Sequence, residues 1–395
     1  MENWYAGRMA TVHRSFIREI LKVTEDPSII SFAGGLPNPD LFPVDAIREA
    51  SDEVLRAAGK TALQYSTSEG LRPLREFISE RYRLKKNLEV SPDDIMITTG
   101  SQQGLDLVSK VALDKGDGVI VERPGYLGAI QAFSLFEPDF KAVELEDDGP
   151  NIDQLEQFLK ASNVKLYYAV PNFQNPSGRS YSFEKRKKVA SLLRESKTVF
   201  LEDDPYGELR FLGEHLPSIY GLLEDRRVLF GSFSKIAAPG FRLGWIVADE
   251  ALRDKLIIPK QAADLHTSTF AQHVLYRYLM ANDIDDHVDH INRQYRRQRD
   301  LMVSMIEKHF PGEVSFTRPE GGMFLWVTLP EGFSSMALFD LAVKRKVAFV
   351  PGVPFYVDGS GDNTLRLNFS NSDENKIPEG IIRLGKCLDE FLHSS

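Results

Sequence analysis

The stretch LFGSFSKIAAPGFRLGW, residues 229–245, decides how this chain is read. Val228–Phe230 is one short apolar run and Leu243–Val247 is another. Runs of this length read as strands buried on both faces. Between them lie Ser232, Ser234, Lys235 and Arg242, with Pro239 and Gly240 to turn the chain. Two hydroxyls, an ammonium and a guanidinium between buried strands imply partners that use them, because unpaired polar burial is costly.

Outward from this stretch the same pattern recurs. Strands are expected at Ile95–Thr99, Gly118–Glu122, Leu166–Val170 and Thr198–Glu202, with helical stretches such as Gln102–Ala112 and Phe183–Glu195 between them. That alternation predicts an α/β fold with a mostly parallel sheet covered by helices on both faces. Ligands of such sheets gather at the carboxyl ends of the strands. A helical arm, Thr11–Thr24, and a Gly- and Pro-rich crossing, SFAGGLPNPDLFP, come first. After about Ala281 a long charged helix leads into FTRPEGGMFLWVTL, AFVPGVPFYV and TLRLNFS, which read as a smaller α+β domain. The expected organisation is an arm over 1–30, a large domain over 31–280 and a small domain over 281–395.

The bulk numbers narrow the function classes. At 395 residues the chain exceeds one ordinary core. A net charge of −9 argues against nucleic acid and anionic membrane as partners. The single cysteine, Cys387, rules out an internal disulfide and a cysteine metal cluster. No apolar run approaches the ~20 residues of a membrane span, and the N-terminus has no apolar signal-peptide core. A cytoplasmic protein is expected.

The strand ends carry the chemistry. In ITTGSQQGLDLV, residues 97–108, a strand ends, Gly100 turns and a helix opens at Ser101. Free N–H groups there bind anions, although an ordinary strand-to-helix turn looks the same without a Walker or GxGxxG pattern. In YAVPNFQNPSGRS, residues 168–180, Asn175 precedes a proline; it is a turn residue or a ligand contact. In VFLEDDPYGELRF, residues 199–211, Glu202, Asp203 and Asp204 precede Tyr206. Three acids read as a magnesium site, a solvated loop, or a carboxylate waiting for a cationic ligand nitrogen. Lysine bonds carbonyl compounds when its pKa is lowered. A phosphorylated pyridine aldehyde would use every piece: the lysine for the carbonyl, a carboxylate for the ring nitrogen, serines and arginine for the phosphate.

On these residues the chain resembles the class I/II aminotransferases of the fold-type I pyridoxal-phosphate (PLP) enzymes. It is most similar to the branch of 2-aminoadipate, kynurenine and broad-specificity aminotransferases. SFAGGLPNPDLFP, LQYSTSEGLRPLRE, TTGSQQGLDLV, PNFQNPSG, EDDPYGELRF, GSFSKIAAPGFRLGW, RPEGGMFLW and TLRLNFS follow the family's order over essentially the whole chain. The resemblance implies a large domain with a seven-stranded, mostly parallel sheet between helices. It implies Lys235 as the Schiff-base lysine, forming a covalent aldimine with PLP, and as the proton shuttle. Asp203 would face the pyridine nitrogen, Asn175 and Tyr206 the ring hydroxyl, and Tyr126 the ring face. Gly100, Ser101, Gln102, Ser232, Ser234 and Arg242 would hold the phosphate. Tyr65 would reach the phosphate of a neighbouring subunit, which makes the unit a homodimer. Arg366 would clamp the substrate carboxylate, assisted by the Gly35 N–H, and Asn175 would contact the substrate as well as the cofactor. Ser15 and Arg18 match specificity positions on the arm, where Arg18 would pair with a distal carboxylate; a solvated helix charge is the alternative. The implied reaction moves an amino group from an L-amino acid to a 2-oxo acid, 2-oxoglutarate, by a ping-pong course.

Other signals are weaker. DDHVDHINRQYRRQRD reads as a solvated helix face with acids before bases, not as a metal or nucleic-acid site. DGSGDN, residues 358–363, lacks the later ligands of a calcium loop and reads as a surface turn. His266 reads as structural. Two other functions stay in view: a β-lyase or decarboxylase on the same fold, and the effector domain of a transcription regulator. The short arm and the acidic charge argue against the second.

Overall fold

The computed structural model describes residues 4–10, 20 and 26–393. Its strands, in chain order, are β1 (Ile30–Ser31), β2 (Ile95–Thr98), β3 (Gly118–Arg123), β4 (Asp139–Glu146), β5 (Gly149–Pro150), β6 (Val164–Ala169), β7 (Val199–Asp203), β8 (Arg227–Ser232), β9 (Gly244–Val247), β10 (Ser315–Phe316), β11 (Phe324–Thr328), β12 (Val347–Ala348), β13 (Val350–Pro351) and β14 (Thr364–Asn368). The large sheet has the order β2-β9-β8-β7-β6-β3-β4-β5. Strands β4, β3, β6, β7 and β8 run parallel to one another. β9 runs antiparallel to both its neighbours, and the two-residue β5 turns back against β4. Seven strands of ordinary length therefore form the expected mostly parallel sheet, and β5 extends it by one short pairing.

Alternate side chains explain why these strands read as apolar throughout. On β3 and β6, Val119, Val121, Leu166 and Tyr168 enter one core while Ile120, Tyr167 and Ala169 enter the other. β4 went unread because it lies near the sheet edge. Its residues DFKAVELE are only partly buried, so charges alternate with apolar groups, as one solvated side demands.

β9 has a positional consequence. Because it runs backwards, its first residue, Gly244, lies beside both Thr98 of β2 and Ser232 of β8. The end of β2, the end of β8 and the loop before β9 therefore meet at one edge. The ends of β3, β6 and β7 point the same way.

The second sheet, β10-β11-β14-β13, is antiparallel. The helix Ile284–His309 leads into it; Asp283 caps its start, acids fill its first turn and Lys308 and His309 its last. This is the charge order that suits the helix dipole. The Gly- and Pro-rich crossing is tied to this half of the molecule. β1 pairs with β12, Phe32 N–H donates to Ala348 O, and Asn368 N–H donates to Phe32 O at 2.8 Å. Residues 358–363 form a surface turn in which Asp358 Oδ1 accepts from Ser360 N–H. Among the described residues no helix is long and apolar enough to cross a membrane. Of the arm expected over Thr11–Thr24 only Ile20 is described; it is helical and buried. Ser15 and Arg18 lie outside the described residues.

Candidate active site

A cavity of about 330 Å³ opens at the edge where the strand ends meet. Lys235, Asp203, Tyr206, Asn175, Tyr126, Ser101, Gln102, Ser232, Ser234, Arg242, Arg366 and Gly35 all line it. They come from seven separate segments of the sequence, and the fold brings them together.

Asp203 ends β7 on the face that also carries Leu201. It is 2% exposed, and Oδ2 accepts from Tyr168 O–H at 2.6 Å. Oδ1 is buried without a hydrogen-bond partner. Burial pushes the carboxyl up to about 6, against which the Tyr168 bond works. At neutral pH it is mostly ionised, so Oδ1 is an acceptor for which the described residues supply no donor. Tyr168 was missed as a site residue: the two strands' register, unknown from sequence, is what sets it against Asp203.

The neighbouring acids go elsewhere. Glu202, on the opposite face, accepts from Ser218 Oγ–H at 2.8 Å and Tyr220 N–H at 2.6 Å. Asp204 pairs with Lys86 and accepts from Asn172 Nδ2 at 2.8 Å. The three carboxylates diverge, which removes the basis of a magnesium reading. They are also not a solvated loop, since Glu202 and Asp203 are fully buried.

A candidate anion seat lies where the ends of β2 and β8 and the start of β9 meet. Gly100 caps the helix Ser101–Ala112 at φ +74 and ψ 164, with no side chain capping the N–H groups. That backbone region is essentially open to glycine alone. A Cβ on Gly100 would overlap the Arg242 guanidinium. Arg242 itself follows the short turn Pro239–Phe241 in a left-handed conformation, φ 52, which turns it back over Gly100. Ser232 Oγ accepts from Ser234 N–H at 3.1 Å. The Gln102 side chain is engaged elsewhere, donating to Gly128 O at 2.7 Å; what Gln102 offers the seat is its backbone. A helix N-terminus, an arginine and two serines together suit a phosphate dianion.

Lys235 lies half-buried across the cavity, its Nζ donating to Gly35 O at 3.2 Å. Among the described residues it has no carboxylate partner. Burial, then the Arg366 and Arg242 charges, pushes its ammonium down to about 8. Tyr206 stands beside it, with the ammonium 5.9 Å from the ring centroid. The Tyr206 hydroxyl accepts from Asn175 Nδ2 at 3.5 Å, and burial pushes it well above its ordinary range. Burial likewise pushes the Tyr126 hydroxyl up to about 12.

Arg366, on β14, is 1% exposed. Nη1 donates to Asn175 Oδ1 at 2.8 Å and Nη2 to Ala33 O at 2.9 Å. The Phe324 and Phe355 rings lie 4.4 and 5.3 Å from its guanidinium carbon. Burial pushes it down to about 10, so it remains a cation at neutral pH. A buried cation with no carboxylate partner is costly unless a ligand anion balances it. Asn175, expected at both the cofactor and the substrate, and Arg366, expected at the substrate, are joined by this hydrogen bond. The Phe324 and Phe355 cover and the Ala33 carbonyl were not read at all, since apolar residues and a backbone oxygen leave no polar signal.

Tyr65 does not line this cavity. It is 79% exposed and meets the His266 ring edge-on at 5.9 Å.

The group that fits must carry a phosphate, a carbonyl and a ring N–H. The orphaned Asp203 Oδ1, the glycine-built seat at Gly100 and an amine of lowered pKa match pyridoxal phosphate at all three points. The comparisons agree. The family model for aminotransferase class I and II matches residues 29–384. The aromatic-amino-acid aminotransferase 1 of Thermococcus litoralis is 42% identical, over 98% of this chain and 95% of that one. The 2-aminoadipate transaminase of Thermus thermophilus is 43% identical, over 98% and 96%. Among solved structures, the α-aminoadipate aminotransferase LysN of Thermus thermophilus, complexed with N-(5'-phosphopyridoxyl)-L-leucine, superposes with a TM-score of 0.93 at 41% identity, covering 99% of this chain and 98% of that one.

Proposed function

The chain belongs to the class I and II aminotransferases and is a PLP-dependent enzyme of that family, and from that premise we propose which substrates it takes and which residues do the work. The proposed donors are 2-aminoadipate, aromatic amino acids, leucine and glutamate, with 2-oxoglutarate as acceptor. The observation that carries this is Arg366: a buried guanidinium between two phenyl rings, with no carboxylate partner among the described residues, lining the same cavity as the amine of Lys235.

When bound, PLP supplies a carbonyl that accepts the amino group and a ring that draws electrons from the substrate Cα. The Gly100–Gln102 backbone, Ser232, Ser234 and Arg242 hold its phosphate. Asp203 Oδ1 accepts the ring N–H, and Tyr168 keeps that carboxylate turned toward it. Asn175 and Tyr206 bind the ring hydroxyl oxygen, and Tyr126 covers the ring. Arg366 holds the substrate carboxylate, with the Gly35 N–H, so that the Cα–H bond faces Lys235. Lys235 would hold the cofactor carbonyl and, once released from it, would take the proton from the substrate Cα and return it at the former carbonyl carbon.

The lowered pKa of Lys235 sets a pH test. The neutral amine is the form that takes up a carbonyl. With the ammonium at about 8 rather than 10.5, about one lysine in ten is neutral at pH 7, against about one in three thousand. Uptake of PLP by the apoenzyme should rise about tenfold per pH unit below 8 and level off above it. A rate still climbing steeply at pH 10 would contradict the assignment.

A donor screen with 2-oxoglutarate tests the function. Formation of 2-oxo acid beyond one equivalent per PLP-loaded site should need an acceptor, because the first half of a ping-pong course leaves the amino group on the enzyme; continued turnover without an acceptor would point to a lyase or decarboxylase instead. Arg18 enters the same screen. If Arg18→Ala leaves kcat/KM for aminoadipate and glutamate unchanged relative to leucine, its role in side-chain choice fails. We also propose a large domain over 31–280 and a small one over 281–395, and a cytoplasmic homodimer in which Tyr65 reaches the partner's phosphate. The exposed Tyr65 on a short loop before the helix Arg72–Lys86 supports the last point, and sedimentation at the mass of one chain would exclude it.

A further inference from the structure

Lys260 sits in the helix Glu250–Ala263, directly after Pro259, and its side chain is 0% exposed. A buried ammonium persists only where protein groups replace water. Its Nζ donates to Gln103 Oε1 at 2.9 Å, to Asp264 Oδ1 at 3.0 Å and to Thr267 Oγ1 at 3.0 Å. These partners close onto the turn that precedes the anion seat. Thr99 Oγ–H donates to Asp264 Oδ2 at 2.9 Å, and Thr99 N–H donates to Gln103 Oε1 at 2.8 Å. Gln103 Nε2 donates to Asp264 Oδ2 at 2.8 Å. Burial pushes the Asp264 carboxyl up, but the bonds from Gln103, Lys260 and Thr99 outweigh it and hold it below its ordinary range. Burial pushes the Lys260 ammonium down, and the bond to Asp264 works against that; the Asp264 carboxylate is ionised at neutral pH.

None of Lys260, Asp264, Gln103, Thr99 and Thr267 lines the cavity. Their bonds instead fix Thr99, the residue before Gly100, and Gln103, in the first turn of the helix whose N–H groups form the seat. Donors held in place bind an anion more tightly than donors the anion must order. A charge-assisted network is a stiff support, because each of its bonds is stronger than a neutral one.

We infer that Lys260 is a positioning residue: through Asp264, Gln103 and Thr99 it holds the Gly100–Gln102 N–H groups in the direction that receives the cofactor's phosphate. The inference rests on reading that turn as the phosphate seat. It separates phosphate affinity from affinity for the rest of the cofactor, which Asp203, Tyr126 and Lys235 would hold without help from Lys260.

The test compares PLP with pyridoxal, which has the same ring and carbonyl but no phosphate. Dissociation constants are measured by absorbance titration of the apoenzyme, for wild type, Lys260→Met and Thr99→Val. Lys260→Met should weaken PLP about tenfold and leave pyridoxal within about twofold. Thr99→Val removes one hydroxyl from an exposed position and should weaken PLP about threefold, with pyridoxal unchanged. Equal weakening of both ligands, or of neither, overturns the inference, since a merely structural lysine would not distinguish them. If Lys260→Met does not fold, the Thr99→Val ratio decides alone. If the wild type binds PLP no more tightly than pyridoxal, the phosphate-seat reading itself falls and takes this inference with it.

Discussion

Lys235→Ala should lose transamination by about 10⁴-fold or more in kcat. Removing a positioned general acid–base costs up to about 10⁴, and loss of the covalent attachment adds to it. The reason lies in the surroundings of Lys235. Its ammonium has no carboxylate partner among the described residues, lies near two guanidiniums and is pushed down to about 8. No other described lysine lines the cavity. Two readouts check this besides turnover. After borohydride treatment and denaturation the cofactor should stay with the wild-type chain and leave the variant. PLP should still bind the folded variant, because the phosphate seat and Asp203 are intact. A variant that turned over near the wild-type rate would overturn the whole assignment.

The second large effect is expected at Arg366. Arg366→Lys keeps the charge but loses the planar fork that matches a carboxylate. The guanidinium already spends one N–H on Asn175 and one on Ala33 O, and a lysine cannot serve both and a substrate carboxylate in the same geometry. Breaking a buried, hydrogen-bonded charge pair costs about 2–5 kcal/mol, so kcat/KM for every amino acid donor should fall by a factor between about 30 and about 4,000. Most of the loss should appear in KM, because the carboxylate is held in ground and transition states alike. Binding of PLP alone should change little. A fall of less than about fivefold would mean that another group carries the carboxylate.

Much of this site was legible before the fold was known. Lys235 between two buried runs, Asp203 at a strand end and the Gly100 turn each leave a local mark: a costly polar group or a permissive backbone beside an apolar strand. Order along the chain then tied them to one chemistry. The unread parts leave no such mark. Tyr168 looks like any core tyrosine until β6 and β7 pair in register. Phe324 and Phe355 look like core. Lys260 looks like a surface helix lysine, and only the docking of its helix against the Thr98–Ser101 turn buries it. The acids of residues 202–204 show the converse error. Read along the chain they are one cluster, but strand alternation sends Glu202 and Asp203 to opposite faces and Asp204 to Lys86.

What this chain is made of determined its fold class, its cofactor chemistry and the residue types at the seat, because those depend on local patterns: periodicity, turn residues and polar groups beside buried strands. Tertiary structure alone decided which of them act together. The backward run of β9 lays Gly244 between Thr98 and Ser232, and so joins three distant segments into one anion seat. The tie between the crossing segment and β14 brings Ala33 onto Arg366, so the arginine is oriented by residues more than three hundred positions away. Such pairings depend on register and packing between elements far apart in the chain, which no local pattern encodes.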